Sequence, residues 1–511
     1  MYFCGKFMKI FTTSQIRQLD QYTIDHEPID SIDLMERAAD TLFEAIRKLY
    51  PQTNTVFCLM AGPGNNGGDA LALARKLFEA GYSAKVYLYS VNKLSSDCEI
   101  NKLRLLETCP GMFTEFTDSF VAPELTKNTI IIDGLFGSGI NRPLSGIFAE
   151  AVEFINKANR MVIAIDVPSG LCGDGCHHLA EPTVKADYTF TFQFPKIAFF
   201  FAENECFVGQ WSVLDIQLHP EGIEATPSEY TYLDIDDIRS MYKKRQKFSH
   251  KGTYGHLAIL AGSKGMAGAS ILAAKAALRS GVGLLTLHGP EGNRCILQTI
   301  SPEVIYEADH HQDCISEFYH ADKYDALAIG PGMGTRTATV DMLRELLRHT
   351  KEPCVLDADA LNIIASEKKM LNSVPAGSIL TPHPKEFERL VGERGNSYQQ
   401  MKKALEISAQ FQLYIVLKGA YSKIITPEGR IIFNSTGNPG MATPGSGDVL
   451  TGILGSLLAQ GYVPENAVKL GVFLHGLAAD IALDAESEES LMAGDIVAGI
   501  GKAFRYIAEV H

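Results

Sequence analysis

The sequence predicts an α/β protein with two domains, each built on a mostly parallel sheet with helices packed against it. Three observations support this prediction. Short apolar runs typical of buried strands alternate with amphipathic helical patterns along most of the 511 residues. The order strand, Gly-rich turn, helix occurs once in each half of the chain. A polar stretch at 220–229, which contains Pro220 and Pro227, lies between the halves.

The first half opens with a strand predicted at 55–60, a loop at 61–68 and a helix at 69–80 that ends at Gly81. Because helical patterns separate the strands that follow, we expect parallel strands joined by crossover helices. Those further strands are predicted at 84–89, 129–132 and 161–165.

The second half repeats this order, with a strand at 256–261, a Gly-rich turn at 262–268 and an Ala-rich helix at 269–280. Its further strands are predicted at 326–329, 353–356, 412–417 and 430–433. Since 220–229 has the composition of an exposed linker, we expect the two domains to be 1–228 and 229–511.

The charge balance excludes several classes of function. The chain has 46 Lys and Arg against 60 Asp and Glu, a net charge of −14, which argues against a nucleic-acid binder. One basic run, 243–247, is interpreted as a solvated face. No stretch approaches the roughly 18 apolar residues that span a bilayer, and the first residues lack the apolar core of a signal peptide. We therefore expect no membrane partner.

The ten cysteines are scattered along the chain, which is typical of free thiols in a reducing cytoplasm. One group, Cys172, Cys176, His177 and His178, is interpreted as a loop rather than a zinc site, because adjacent ligands on one short loop rarely complete a tetrahedron. We expect a cytoplasmic homo-oligomer, although no residue pattern specifies the number of copies.

Gly62–Asp69, with the sequence Gly-Pro-Gly-Asn-Asn-Gly-Gly-Asp, lies between a predicted strand and a predicted helix. Backbone N–H groups of such a loop, together with the helix N-terminus, can bind an anion. The glycine spacing matches the dinucleotide-binding fingerprint, but the strand at 84–89 is not followed by the expected acidic residue, and no Walker lysine is present. A turn that only lets strand and helix pack remains the alternative.

Two more loops, Asp133–Gly139 and Asp166–Gly170, also follow predicted strands. Ligands bind beyond the carboxyl ends of the strands in open α/β sheets, so the three loops should converge. Their Asp, Asn and Ser oxygens are suitable ligands for a cation, and one carboxylate could act as an acid/base group.

These three motifs, together with Leu34–Ala39, resemble the NAD(P)H-hydrate epimerase domain over roughly residues 10–220. The resemblance implies a Rossmann-like α/β/α fold that interconverts the R and S forms of hydrated NADH or NADPH. It implies that the hydrated cofactor binds to Asn65, Asn66, Gly67, Gly68, Asp69, Gly137, Ser138, Gly139, Ile140, Asn141, Arg142, Pro143 and Asp166.

The same resemblance implies a K⁺ ion held by Asn66, Asp133 and Ser169, with Asp166 as the catalytic acid/base. Because a cation lowers the pKa of a neighbouring carboxyl, we expect a low pKa for Asp133 and a pKa closer to neutral for Asp166. Lys196 lies where the family often has a lysine, and its role is left open.

Thr443–Asp448 precedes a clearly helical pattern in the second half. The apolar residues Val449, Leu450, Ile453, Leu454, Leu457 and Leu458 share one helix face. Free N–H groups at such a helix start form an anion hole suited to a phosphoryl group in transfer, and Asp448 could accept a proton from an attacking hydroxyl. The alternative is that Asp448 is an ordinary helix-start carboxylate.

Gly445–Asp448, preceded by 438–443, resembles the ribokinase-like kinases. The resemblance to the ADP- or ATP-dependent NAD(P)H-hydrate dehydratase is closer and covers roughly residues 235–505. It rests on the further motifs Gly262–Ala269, Gly330–Gly334, Asp357–Asn362, Thr381–Glu386 and Leu417–Gly419.

This second resemblance implies a ribokinase-like α/β domain with Asp448 as the base and Mg²⁺ accompanying ADP or ATP. The hydrated cofactor would contact Ala269, Gly334, His383 and Asp448. The nucleotide would contact Lys418, Gly419, Ala420, Tyr421, Ser422 and Gly447. For His383, which lies between two prolines, a rigid turn is the alternative role.

Together these resemblances predict a repair enzyme that epimerises hydrated NADH and NADPH and dehydrates the S form at the expense of a nucleotide, with ADP favoured. One alternative is a small-molecule kinase of the ribokinase-like superfamily with an accessory nucleotide-binding domain. Another is a first domain without catalytic activity that binds a nucleotide or a protein.

Overall fold

A computed structural model describes residues 8–91, 93–140, 142–175 and 182–509. The chain divides into two compact units, Lys9–Ser228 and a second unit that runs from Glu229 onward and includes Met8. Each unit has its own sheet and its own hydrophobic cores. The division falls within the polar stretch 220–229.

Between Met8 and Ser228 a helix separates most consecutive strands, as expected for parallel strands with crossover helices. In chain order they are β1 Met8–Ile10, α1 Thr13–His26, α2 Ser31–Leu49, β2 Val56–Ala61, α3 Asn65–Glu79, β3 Ser83–Tyr89, α4 Ser96–Thr108, β4 Phe113–Phe116, β5 Thr129–Gly134, α5 Ile147–Lys157, β6 Val162–Ile165, β7 Tyr188–Phe192, α6 Glu205–Val208, β8 Gln210–Leu214 and α7 Pro220–Ala225.

The seven-stranded sheet of the N-terminal unit has the order β4-β3-β2-β5-β6-β7-β8, and all neighbouring strands are parallel. This unit has two separate apolar cores. One involves helices α2, α3 and α4, and the other involves helix α5. The chain order reverses between β2 and β5. Ligands bind beyond the carboxyl ends of the strands at such a switch point.

In the C-terminal unit, helices also separate most of the parallel strands, and three helices follow the last strand. In order these elements are β9 Tyr230–Leu233, α8 Ile235–Met241, β10 His256–Leu260, α9 Ala267–Arg279, β11 Leu284–Pro290, α10 Arg294–Ile300, β12 Ile305–Asp309, β13 Ala326–Ile329, α11 Thr337–His349, β14 Cys354–Leu356, α12 Ala358–Ser366, β15 Ile379–Leu380, α13 Pro384–Val391, α14 Ser397–Phe411, β16 Tyr414–Leu417, β17 Lys423–Ile425, β18 Ile431–Asn434, α15 Ser446–Ala459, α16 Pro464–Ala482 and α17 Ala493–Ala508.

The sheet of the C-terminal unit has the strand order β9-β18-β17-β16-β15-β14-β13-β10-β11-β12. Its strands from β12 to β16 are parallel, whereas β17 pairs antiparallel with both β16 and β18. The chain order reverses between β10 and β13, so the loops that follow these two strands flank a second switch point. The predicted α/β class is confirmed.

Helix α15 is buried on nearly every side, and not only along its predicted apolar face. Thr451, Gly452 and Ser456, which lie outside that face, are also buried. A side chain at Gly452 would collide with the backbone carbonyl of Ala273 on α9. The small residues therefore allow α9 and α15 to pack closely.

Two sequence predictions differ from the structure. The helix expected at 69–80 begins earlier, at Asn65, so that half of the predicted loop 61–68 is helical. Residues expected to form an exposed linker form helix α7, in which Gly222 is buried against Tyr22. Proline at the first position favours a helix start, and this outweighed the polar composition.

Among the described residues, none of the helices combines the length and the hydropathy needed to cross a membrane. Seven of the eight described cysteines have free thiols. Cys172 is disulfide-bonded, so the expectation that all cysteines are free is wrong for this residue. Cys176, His177 and His178 lie outside the described residues.

Candidate active sites

The first candidate site lies at the switch point of the N-terminal sheet, where the loop after β2 leads into α3. A Cβ atom at Gly67 would overlap the carbonyl group of Gly62, so this turn needs glycine. Asn66, which directly precedes Gly67, is 7% exposed. The turn therefore brings the start of α3, with its partial positive charge, to the carboxyl ends of the strands.

The loops after β2, β5 and β6 meet, as predicted. A Cβ atom at Gly137 would lie 3.4 Å from both Asn66 Oδ1 and Asp166 Oδ2. These three residues come from the three predicted motifs. Because Gly137 has no side chain, it leaves space between the Asn66 amide and the Asp166 carboxylate, which face the same point.

Asp133 and Ser169 form a buried pair beside this point. Ser169 donates its hydroxyl to Asp133 Oδ1 at 2.6 Å and its backbone N–H to Oδ2 at 2.8 Å. Burial raises the pKa of Asp133 to about 6, although the hydrogen bonds from Ser169 and Leu135 oppose this. The Asn66 amide nitrogen is buried and has no hydrogen-bond partner.

Asp166 is paired with Lys196. Lys196 Nζ lies 2.8 Å from Asp166 Oδ1, and only 2% of the lysine side chain is exposed. Asp166 has a positive φ of 62°, which is uncommon outside glycine and occurs at functional sites. Lys196 also donates to Thr191 Oγ1 and to the carbonyls of Phe192 and Phe194.

The pairing of Asp166 with Lys196 reverses the expected order of the pKa values of Asp133 and Asp166. Burial alone would raise the pKa of Asp166, but the charge of Lys196 and its hydrogen bond lower it below the usual value. Asp133, which was expected to have the low pKa, has the raised one. The expectation was wrong because the sequence did not show that Lys196 lies against Asp166.

Two further carboxyls, Asp69 and Asp20, lie close enough to Asp166 to feel its charge. Burial, together with the charges of Asp166, Asp20 and Asp97, raises the pKa of Asp69 well above its ordinary value. Burial and Asp166 raise the pKa of Asp20 to about 6, against the opposing effects of Lys196 and Arg17. Sequence analysis missed Asp20, because no motif around α1 marks it.

Other predicted cofactor-binding residues lie in the 137–143 segment. The Ser138 carbonyl accepts a hydrogen bond from Thr13 Oγ1 on α1, and Gly139 packs against Arg17 of the same helix. Arg142 and Pro143 are exposed, and Ile140 is half-buried. The predicted residue Asn141 lies outside the described residues.

The second candidate site surrounds the anion loop, which we define as Gly445–Asp448. Gly445 has a φ of 90°, a conformation that favours glycine, and α15 begins at the next residue, Ser446. The first N–H groups of a helix have no partner within it, so the start of α15 can bind an anion.

Lys418 and Asp357 form an ion pair beside the anion loop, at 2.8 Å. Thr451 donates its hydroxyl to the other Asp357 oxygen at 2.7 Å. A Cβ atom at Gly447 would lie 3.2 Å from Lys418 Nζ, so glycine allows the lysine to approach the loop. Lys418 is thereby held next to the N–H groups, where a phosphate would bind.

Asp448 is half-buried next to these charges. Burial and the charge of Asp357 together raise its pKa to about 6, and Lys418 opposes the shift. A carboxylate with this pKa is still ionised at neutral pH but is a stronger base than an ordinary aspartate. This environment favours the catalytic role over that of a simple helix-start carboxylate.

Loops after β10 and β13 meet on the other side of this site. Ser263 donates its hydroxyl to the Gly332 carbonyl at 2.8 Å, and the Gly334 N–H binds Asp359 Oδ2 at 2.9 Å. A Cβ at Gly332 would lie 3.1 Å from the Ala269 side chain. Ala269 and Gly334 are therefore brought to the same switch point.

His383 is the N-cap of α13, where its Nδ1 accepts the N–H of Lys385 at 3.1 Å. The side chain is 44% exposed, and burial of the rest lowers its pKa. Capping accounts for one ring nitrogen and supports the turn role. The other, Nε2, lies 3.3 Å from Glu386 Oε1, and its contact with a substrate stays a prediction.

The predicted nucleotide-binding loop 418–422 connects β16 with β17. Gly419 and Ala420 are exposed, whereas Tyr421 and Ser422 are half-buried, and the Ser422 hydroxyl donates to the Gly419 carbonyl at 3.2 Å. Lys418, at the start of this loop, lies beside Gly447 of the anion loop.

Sequence analysis assigned no role to Asp357, Thr451 and His475. Asp357 belongs to a motif that was recognised, so its position at a strand end could have indicated it. Thr451 and His475 lie within helices α15 and α16 without any local motif.

Comparisons with known proteins match both halves of the chain. A family described as NAD(P)H-hydrate dehydratase matches residues 257–500, and the YjeF-related protein N-terminus matches residues 31–198. The chain is 34% identical to the bifunctional NAD(P)H-hydrate repair enzyme Nnr of Moorella thermoacetica over 98% of each chain. It is 33% identical to Nnr of Thermofilum pendens, over 98% of this chain and 97% of that one.

Among solved structures, the ADP/ATP-dependent NAD(P)H-hydrate dehydratase from Bacillus subtilis, co-crystallised with ATP and Mg²⁺, is 32% identical. The match covers 54% of this chain and 97% of that chain, with a TM-score of 0.47.

Proposed function

The chain belongs to the family of bifunctional NAD(P)H-hydrate repair enzymes, and from this premise we propose that each candidate site catalyses one of two repair reactions. Residues 1–228 form the epimerase domain and residues 229–511 form the dehydratase domain. The observation that carries the proposal is a match to Nnr along 98% of both chains, which covers both halves of this chain.

In the dehydratase domain, the hydroxyl of the S hydrate is phosphorylated before it leaves. Asp448 removes the hydroxyl proton as the oxygen attacks the terminal phosphorus of the nucleotide, and the shorter nucleotide departs. Phosphate is then expelled with a proton from the neighbouring ring carbon, which restores the dihydropyridine of NADH or NADPH. The N–H groups of the anion loop stabilise the phosphoryl oxygens.

Lys418 supports nucleotide binding because Asp357 holds its ammonium group beside Gly447. The nucleotide lies along 418–422, and the hydrate lies between Ala269, Gly334 and His383. Bound Mg²⁺ would neutralise charge on the phosphates. We propose ADP as the phosphoryl donor, and a comparison of initial rates with ADP and with ATP tests this choice.

In the epimerase domain, Asp166 is the acid/base group at the hydrated ring, and the Lys196 ammonium group is its ion-pair partner. The low pKa of Asp166 makes the carboxylate its resting form, so it first accepts a proton or stabilises positive charge on the ring. The hydrated cofactor is held by 65–69 and 137–143.

The residues Asn66, Asp133 and Ser169 fit the proposed K⁺ site. The buried Asn66 amide has one unpartnered atom, and rotation of the amide by 180° would place an oxygen there. Bound K⁺ would supply a positive charge that holds the loops and the cofactor phosphates together. Crystals soaked in Rb⁺ should show anomalous density among these three residues, and density found only elsewhere would contradict the assignment.

The main test adds ADP or ATP to the full chain with a mixture of R and S NADH hydrate. We expect the absorbance of NADH to return for both forms, together with one free phosphate per NADH formed. Stoichiometric accumulation of a phosphorylated product, without NADH, would instead support a small-molecule kinase. Exchange of R and S hydrate without nucleotide separates an active epimerase domain from one that only binds a ligand.

Location and assembly need separate measurements. Seven of the eight described cysteines are free thiols, which supports a reducing compartment such as the cytoplasm, whereas the disulfide of Cys172 opposes it; cell fractionation tests the location. The expected homo-oligomer is tested by sedimentation of the full chain.

A further inference from the structure

A buried histidine lies directly behind the anion loop. His475, on α16, is 7% exposed, and its Nε2 lies 3.3 Å from Oγ of Ser446, the second residue of that loop. Ser446 is itself only 8% exposed. Burying two polar side chains costs free energy unless each satisfies the other. The proposed function assigns a role to neither side chain.

The same helix also holds the segment that leads into the anion loop. Asp480 accepts the Gly437 N–H at 2.8 Å and the Asn438 side-chain amide at 2.9 Å. Thr436 Oγ1 donates to the Phe473 carbonyl at 2.8 Å. Helix α16 therefore fixes the chain before the loop through Asp480 and the loop itself through His475.

The ring of His475 is neutral at pH 7, because burial lowers its pKa to about 4. A neutral imidazole can hydrogen-bond to Ser446, whose hydroxyl and backbone both face the ring, and it places no charge behind the site. The anion loop needs such support, since its N–H groups must point at the phosphoryl group before the reaction begins.

We propose that His475 is a positioning residue for the dehydration reaction, which acts through Ser446 to hold the N–H groups of the anion loop on the phosphoryl group in transfer. This inference rests on the proposed function of the C-terminal domain. It assigns His475 no contact with either substrate.

The first experiment compares three variants of the full chain. In His475→Leu, kcat for nucleotide-dependent return of NADH should fall by about 10²-fold, with KM for the hydrate changed less than about twofold. His475→Gln, which can still bond to Ser446, should retain kcat to within about tenfold of the wild type.

Val472→Ala is the matched control, because Val472 is a buried core residue of the same helix. It should lower Tm while kcat stays within about twofold. If His475→Leu lowers kcat no more than this control, or if the Leu and Gln variants are equally impaired, His475 is a structural residue and the inference is wrong.

A double-mutant cycle tests the route through Ser446. Ser446→Ala removes the other half of the hydrogen bond with little change in volume, so this variant folds even if His475→Leu does not. If the two residues act through one bond, the double variant should be no slower than the slower single variant. If the fold-losses of kcat in the two single variants multiply in the double variant, the route through Ser446 is wrong.

Binding of AMP with Mg²⁺ and aluminium fluoride, which mimics the terminal phosphoryl group of ADP in transfer, separates this inference from the proposed function. His475→Leu should weaken binding of this complex at least about tenfold and leave the affinity for AMP alone unchanged. A wild-type chain that binds the complex but returns no NADH would contradict the proposed function. Unchanged binding in a chain that does return NADH would contradict only the inference.

Discussion

Asp448 ends the anion loop, and burial beside Asp357 raises its pKa to about 6. Replacing Asp448 with Asn removes the group that accepts the hydroxyl proton, so dehydration should slow by about 10²–10⁴-fold. Recovery of NADH absorbance from S hydrate and ADP measures this loss. Exchange between R and S hydrate serves as the control and should be unchanged. A variant that keeps more than about a tenth of the wild-type rate would show that Asp448 is not the base.

The raised pKa of Asp448 also predicts a pH profile. The base works as a carboxylate, which is the major form above pH 6 and the minor form below it. We therefore expect kcat/KM for dehydration to be level above about pH 7 and to fall about tenfold per pH unit well below 6. Initial rates between pH 4.5 and 8 would show the inflection. A level profile over that range would assign proton removal to another group.

Asp166 gives a second prediction, for the epimerase reaction. Asp166→Asn should stop enzymatic R/S exchange, because an amide can neither accept the proton nor pair with Lys196. Dehydration of pure S hydrate should be unchanged, so an R/S mixture with ADP would lose only its S fraction. Chromatography of the remaining hydrate measures the outcome. Disappearance of the R form at the wild-type rate would leave Asp166 with a purely structural role.

Burial also predicts a stability cost for this substitution. Lys196 is 2% exposed, and Asp166 is its ion-pair partner. Removing one partner of a buried pair leaves a buried charge and typically costs about 3–5 kcal/mol. Exchange should therefore be measured below the melting temperature of the variant, with its folded fraction checked by circular dichroism.

At the scale of elements, the start of α3 provides a pair of matched glycines. A Cβ at Gly67 would overlap the Gly62 backbone, whereas a Cβ at Gly64 would meet nothing within 4 Å. Overpacking of this kind costs about 1–3 kcal/mol, so Gly67→Ala should displace the loop and raise KM for the hydrate in the epimerase reaction about tenfold or more. Gly64→Ala should leave KM within about twofold. Equal KM values for the two variants would show that the turn tolerates a side chain.

Strand positions were predicted well because a buried parallel strand is a continuous apolar run. The run at 326–329 corresponds to β13, Ala326–Ile329. Helix starts were less accurate: Asn65 and Asn66 resemble loop residues in composition but form the first turn of α3. They do so because the turn before them is held against the loop after β5. The Gly62 N–H bonds to the Gly134 carbonyl at 3.1 Å, and a Cβ at Gly62 would overlap the Leu135 carbonyl, so the turn depends on tertiary contacts.

At the scale of the whole molecule, each unit has its own sheet, and the two sites lie at two separate switch points. The hydrate should then be able to pass between sites through solution. An equimolar mixture of the Asp166→Asn and Asp448→Asn variants should convert both R and S hydrate to NADH, although neither variant alone does so. Persistence of the R form in the mixture would mean that the hydrate must pass directly between the domains of one chain.

The sequence by itself determined the α/β class, the two sets of motifs and their order along the chain. These features are local, since an apolar run, a Gly-rich turn and a helix start are each complete within about ten residues. It also determined that Asn66, Asp133, Asp166 and Asp448 would be candidate site residues.

Only the tertiary structure decided the partners and the proton affinities of these groups. Thr451 bonds to Asp357 from 94 positions away, and His475 reaches Ser446 from a different helix. Burial raises the pKa of Asp133, whereas Lys196 lowers that of Asp166, contrary to the order expected from the sequence. A pKa depends on burial and on neighbouring charges, and these are properties of the folded chain that no local pattern contains.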